Sequence, residues 1–293
     1  MKNIYEQISE NKIRSVTIIG LFIVFIITVT YMITVSFNLD NSFLFLAVIF
    51  SSLSSLAGYF YGDQIVLSIN QARPVTREEF FNFYTVVENL SIVNQTPVPK
   101  IYVIDSEAPN AFATGRDPNH AVVCATIGLL KKLNRTELEA VVAHELSHIK
   151  NYDIRLMTLV SILIGTLSIL INTTARTSFL RRNNNNNRSN GILTLIGFIL
   201  IIFSPIIAKI IQFAISRRRE YFADASAVKL THQPQALIDA LTKISSDDSK
   251  LETASTATAS LYISNPFKGN KLASMFSTHP PIENRIKALQ EML

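Results

Sequence analysis

Hydrophobic positions in this chain gather into four long uncharged blocks, with segments of ordinary polarity between them. The first block runs from Ser15 to Phe37 and is rich in Ile, Val and Phe. As a helix rising about 1.5 Å per residue it spans roughly 35 Å, enough for a bilayer core. It is longer than the apolar region of about 7 to 15 residues usual for a cleavable signal peptide. A second block, Asn41 to Gly62, follows after only Asn38, Leu39 and Asp40, so the two predict a transmembrane hairpin. The third block, Leu156 to Ala175, and the fourth, Gly191 to Ala208 and on past Lys209 to Ile215, predict a second hairpin that spans or partly enters the bilayer.

The polar segments 63–155 and 216–293 are each short for a domain and are expected to meet as one, with 1–62 as an N-terminal hairpin and 156–215 as an inserted one. Within them, residues 76–93 read as a helix, and Ile101–Ile104 and Ala121–Ala125 read as strands of a small sheet. Pro280-Pro281 followed by Ile282, Ile286 and Leu289 predicts a C-terminal helix with an apolar stripe. The fold class is therefore α+β. It combines four apolar helices in two hairpins with a mainly helical domain and a small sheet.

Composition sharpens this picture in three ways. Only 17% of residues are charged, and the balance of 27 Lys+Arg against 22 Asp+Glu, or +5, is too mild to argue for nucleic acid. The single cysteine, Cys124, cannot form an intramolecular disulfide and reads as a small buried apolar residue. Lys2, Lys12 and Arg14 precede the first hairpin and Arg73 and Arg77 follow it, which puts the N-terminus and the polar domain in the cytoplasm. The second hairpin gives a divided signal, with Arg176, Arg181, Arg182 and Arg188 between its blocks and Arg217, Arg218 and Arg219 after them.

Candidate chemistry sits just before the third block. Thr136 to Glu139 has the pattern of a capping box, and Leu138, Val141, Val142, Leu146 and Ile149 follow at helical spacing. On this helix lies His144-Glu145-Leu146-Ser147-His148. Histidines four apart project from one helix face and can share a Zn²⁺, while the Glu between them reaches its water. A catalytic zinc needs a third protein ligand. His120 and His232 have no partner at ligand spacing, whereas Glu220 stands just beyond the fourth block, with Asp224 one helical turn later. Asp224 could accept the free N–H of a ligating imidazole. The second hairpin thus brings a ligand-bearing segment to the membrane surface at each of its ends.

Taken together, these residues resemble the HtpX-type membrane-bound zinc metalloproteases, relatives of the CAAX prenyl endoproteases. The resemblance covers nearly the whole chain: the first hairpin, Asn110 to Gly115, His144 to His148, the second hairpin, Glu220 to Asp224, and Ser277 to Pro281 with Arg285. It implies one zinc per subunit held by His144, His148 and Glu220, with Glu145 as the catalytic base. His279 and Arg285 are implied to act as a pair near the substrate carbonyl, and Asn110, Ala111, Phe112 and Ala113 to line the substrate cleft as a strand edge. It further implies a multi-pass cell-membrane protease of the stress response that removes misfolded or damaged membrane proteins at the cytoplasmic face. The expected partners are the lipid bilayer and unfolded or membrane-protein substrates. A specific processing protease acting on prenylated peptides and a zinc-binding scaffold that does not cleave remain alternatives. Oligomeric state is left open by the sequence.

Overall fold

The computed structural model describes residues 4–37, 40, 42–166, 217–255, 257–267 and 280–293. The fourth apolar block, the end of the third, the segment between them and His279 lie outside these residues.

Two long helices, α1 (Ile4–Phe37) and α2 (Ser42–Ile69), form the N-terminal hairpin. Both are long and apolar enough to cross a membrane, over Ile8–Thr28 and Leu44–Ile69. Only 22% and 17% of these spans is buried, with Val16, Leu21, Val24, Phe45, Leu46 and Leu53 among the exposed side chains. A helix in the core of a soluble domain would hide such residues. α2 continues past Gly62, because Val66 and Leu67 beyond it pack with the sheet residues Ile104, Phe112 and Cys124. It ends at Asn70 and Gln71, the latter left-handed at φ 53, with the Ala72 amide donating to Leu67 O at 2.9 Å.

The sheet consists of β1 (Arg73–Pro74), β2 (Lys100–Ile104), β3 (Ala111–Gly115) and β4 (Ala121–Thr126), in spatial order β1-β2-β4-β3. β2 and β4 run parallel and the other pairs antiparallel, which leaves β3 at an edge. Ile101, Val103, Val123 and Ala125 face one apolar core; Ile104, Val122 and Cys124 face another, shared with the end of α2. Burial on both faces explains why β3 and β4 read as almost unbroken apolar runs. Cys124 is fully buried, and burial pushes its thiol pKa up.

Among the described residues, these helices after β1 surround one face of the sheet: α3 (Phe81–Asn94), α4 (Ile127–Lys132), α5 (Arg135–Lys150), α7 (Arg217–Thr231), α8 (Pro234–Ser245) and α9 (Ile282–Gln290). Residues 153–166 form a further helix, α6. α3 begins at Phe81, later than the sequence pattern suggests, because residues 77–80 form a turn in which the Phe80 amide donates to Thr76 O. The cap of α5 also differs from the expected one. Asn134 and Glu137 make the reciprocal bonds, each 2.9 Å, where Thr136 and Glu139 were expected. Two overlapping box patterns occur there, and Lys243 of α8, 2.7 Å from Glu137, favours the earlier register. α1 packs along α6 through Ile18 and Phe22 against Leu156, Leu159, Val160 and Leu163. α2 crosses α6 at Gly62, where a Cβ would lie 2.7 Å from Thr158 Cγ2.

Candidate metal centre

α5 lies at the middle of the larger core, its apolar side set by Leu138, Val141, Val142 and Ile149. That placement sinks its polar side too: His144, Glu145 and His148 are 1%, 2% and 4% exposed. α7 packs beside α5 and delivers Glu220 and Asp224, which are equally buried. Buried ionisable groups need partners, and four of these five lie against one another: His144 beside Asp224, His148 and Glu220, and His148 beside Glu220.

The two imidazoles stand edge to face, with Nε2 of His144 3.2 Å from Nε2 of His148. Glu220 completes the cluster: its Oε2 is 3.6 Å from His144 Nε2 and its Oε1 is 3.6 Å from His148 Nε2. These three residues form a group able to hold a metal ion. The donor set, two imidazoles and a carboxylate, suits a divalent transition metal better than an all-oxygen cation such as Ca²⁺.

The outward nitrogens are held as well. His144 Nδ1 lies 2.9 Å from Asp224 Oδ1. Arg285 closes its fork on the same carboxylate, Nε to Oδ2 at 2.9 Å and Nη2 to Oδ1 at 2.6 Å, and gives Nη1 to Ile263 O at 3.2 Å. Arg285 Nη2 is also 3.4 Å from His144 Nδ1, but the guanidinium only donates, so Asp224 is the partner that fits an Nδ1–H. Burial and the charge of Arg285 oppose protonation of His144, yet hydrogen bonds to Asp224 and Glu220 outweigh them and push its pKa up to about 9. Burial would raise the pKa of Asp224, but Arg285 and the bonds from His144 and Arg285 hold it at about 2. The contact geometry sets a carboxylate against Nδ1 and directs Nε2 at Glu220 and His148.

His148 has a support that the sequence reading missed. Its Nδ1 is 3.1 Å from Asp153 Oδ2, just beyond α5. The available signal was an acid placed between the end of the histidine helix and an apolar block, where a solvated charge is out of place. Arg285 is 0% exposed, as buried as the histidines and Glu220, and its guanidinium is taken up by Asp224 and Ile263 O. His279 is outside the described residues.

The segment Asn110 to Ala113 lies at the start of the edge strand. The Thr126 amide donates to Asn110 O, and antiparallel alternation then turns the backbone groups of Ala111, Ala113 and Gly115 outward. Ala111 O already accepts from the Ile263 amide at 2.9 Å, and the Asn110 side chain donates to Ser264 O at 2.9 Å. Gly115 N is 3.2 Å from Thr158 Oγ1. Ala113 stands between these two attachments, while the Phe112 ring packs edge-on against Tyr262 beneath the strand.

Comparison with known proteins agrees with this geometry. Residues 82–293 match Peptidase family M48. A protease HtpX homologue of Dictyoglomus turgidum is 42% identical over 288 residues, covering 98% of this chain and 94% of its own. One from Ligilactobacillus salivarius is 39% identical over 295 residues, covering 99% of this chain and 100% of its own. The crystal structure of S. mikatae Ste24p shares the fold, with a TM-score of 0.51 at 24% identity, over 97% of this chain and 66% of that one. With a family match over most of its length and relatives near two-fifths identical from end to end, the chain belongs to peptidase family M48 and is a metalloprotease of the HtpX type.

Proposed function

We propose that the protein is a zinc endopeptidase of the cell membrane that hydrolyses misfolded or damaged membrane proteins at the cytoplasmic face. The observation that carries this reading is the spacing of His144, His148 and Glu220. Tetrahedral bonds of about 2.0 to 2.2 Å separate ligand atoms by about 3.3 to 3.6 Å. The separations of 3.2 Å and 3.6 Å fall at or next to the limits of that range. Three protein ligands leave one position open, as a catalytic site requires and a structural one does not.

Zinc bound there supplies Lewis acidity and a water whose pKa falls to about 7. Glu145, next to the first histidine and as buried as it is, takes the proton of the attacking water and returns it to the departing amine. Asp224 and Asp153 fix the two imidazoles with Nε2 forward. Arg285 acts as a positioning residue, holding Asp224 in place. His279 is assigned to the substrate carbonyl on the family resemblance. An extended substrate pairs with the outward backbone of Ala113 on the edge of β3.

The same reading makes 1–62 and 156–215 two membrane hairpins, four spans in all, and joins 63–155 to 216–293 as the protease domain. The basic residues flanking the first hairpin support a cytoplasmic domain. The test uses detergent-purified protein, zinc and casein, with and without a chelator, beside Glu145→Gln. We expect chelator-sensitive cleavage, a loss of about 10⁴-fold in the variant, and unchanged zinc content. Cleavage by Glu145→Gln near the wild-type rate would overturn the mechanism.

A further inference from the structure

Asp153 is held by more than its histidine. Asn11, on the first membrane helix, donates Nδ2 to Asp153 Oδ1 at 2.7 Å and to Asn151 O at 2.9 Å. Arg219, next to Glu220 on α7, gives Nη1 to Asn11 Oδ1 at 3.3 Å and to Asp153 Oδ1 at 3.4 Å. Asn11 is 4% exposed and Asp153 3%, so neither contact is an incidental surface pairing.

The backbone between α5 and α6 explains why such a clamp is needed. Tyr152 stands at φ 60, a left-handed conformation that costs a bulky residue about 1 to 3 kcal/mol and persists only where its surroundings impose it. That residue reverses the chain so that Asp153 faces back to His148. Asn11 holds the carbonyl on one side of Tyr152 and the carboxylate on the other, and Lys12 Nζ sits 4.6 Å from the Tyr152 ring centre. Below this point Ile18 and Phe22 lock α1 along α6.

We propose that Asn11 is a positioning residue of the metal centre: with Arg219 it fixes Asp153 on His148 Nδ1, which makes the first membrane helix a working part of the site as well as an anchor. The inference rests on His148 being a metal ligand. Its consequence is that metal affinity and turnover depend on a side chain in the hairpin that touches no ligand. Supports of this kind are worth about 10- to 100-fold in affinity or activity. Asn11 acts one step further out, so a loss of about 5- to 10-fold is expected for Asn11→Ala.

The experiment uses the full chain in detergent. Zn²⁺ affinity is measured by competition with a chromogenic chelator, and the Co²⁺-substituted protein gives an absorption band that reports ligand geometry. Asn11→Ala and Asp153→Asn should both weaken affinity and shift the Co²⁺ band, and kcat for casein should fall with KM little changed. The double variant should be no weaker than Asp153→Asn alone, because Asn11 acts through Asp153. Ser15→Ala, one turn along the same buried face and bonded to Asn11 O, should leave all of these unchanged. Asn11→Gln, which keeps the amide but lengthens it, should give a smaller loss in the same direction and carries the test if the alanine variant does not fold. Wild-type affinity and spectrum in the Asn11 variants, additive losses in the double variant, or an equal loss in Ser15→Ala would each overturn the proposal. If Glu220→Ala binds zinc as wild type does, the metal-site reading itself fails, and this inference with it.

Discussion

Asp224 offers the sharpest quantitative test of how the centre is supported. It is 1% exposed, accepts two hydrogen bonds from Arg285 and lies 2.9 Å from His144 Nδ1. Asp224→Asn keeps the volume but leaves the guanidinium of Arg285, itself 0% exposed, without its counter-charge. Breaking a buried pair from one side costs about 3 to 5 kcal/mol. The asparagine oxygen can still accept one of the bonds, which favours the lower end, about 3 kcal/mol. For a chain of 293 residues, with about 2.1 cal/mol/K of unfolding entropy per residue, that is a fall in Tm of about 5 °C. Metal affinity should drop by about 10- to 100-fold as His144 loses its orienting acceptor. Adding Arg285→Met removes the stranded charge, so the double variant should regain more than half of the lost Tm while its metal affinity stays low. Scanning fluorimetry and chelator competition on the purified variants measure both quantities. An Asp224→Asn protein melting within about 2 °C of wild type would refute the energetic argument.

Three other outcomes test the remaining parts. Glu220→Ala should purify without stoichiometric zinc, since two histidines alone make a weak site; metal analysis decides it. Gly62→Leu should destabilise by about 1 to 3 kcal/mol or more and lower membrane yield, because even a Cβ there meets Thr158 and Ile162 side chains within 2.8 Å. In intact cells Glu107→Cys should resist a membrane-impermeant thiol reagent and react after lysis. Its side chain is 72% exposed, and buried Cys124 gives little background. Labelling before lysis would reverse the topology.

Much of the site was legible because its chemistry lies along single helices. His144 and His148 share a face wherever the chain is helical, and Glu220 and Asp224 do so on their own helix. The strands Ile101–Ile104 and Ala121–Ala125 were equally visible, since burial on both faces makes them apolar throughout. Boundaries were less so. Two capping registers overlap before α5, and the choice between them is made by Lys243 on another helix. The end of α2 at Ile69 depends on the sheet under Val66 and Leu67, which the break at Asp63 conceals.

Apart from Asp224, the supports of the centre were hidden for a stronger reason. Had α5 continued, Asp153 would lie five positions beyond His148, about 140° around the helix, and could not have reached it. Only the left-handed residue Tyr152 turns Asp153 back, and nothing about a tyrosine forecasts that conformation. Arg285 meets Asp224 only because α9 packs beside α7, where its side chain is fully buried. Asn11 lies 142 residues from the carboxylate that it holds, among charged residues that read as a solvated lead-in to the first apolar block. The ligands and Asp224 follow from local spacing, whereas the other groups that aim them are recruited wherever the folded chain passes close. In this chain the first membrane helix passes close, which is why a polar side chain near its N-terminal end has no exposed face and every bond it makes serves the turn behind His148.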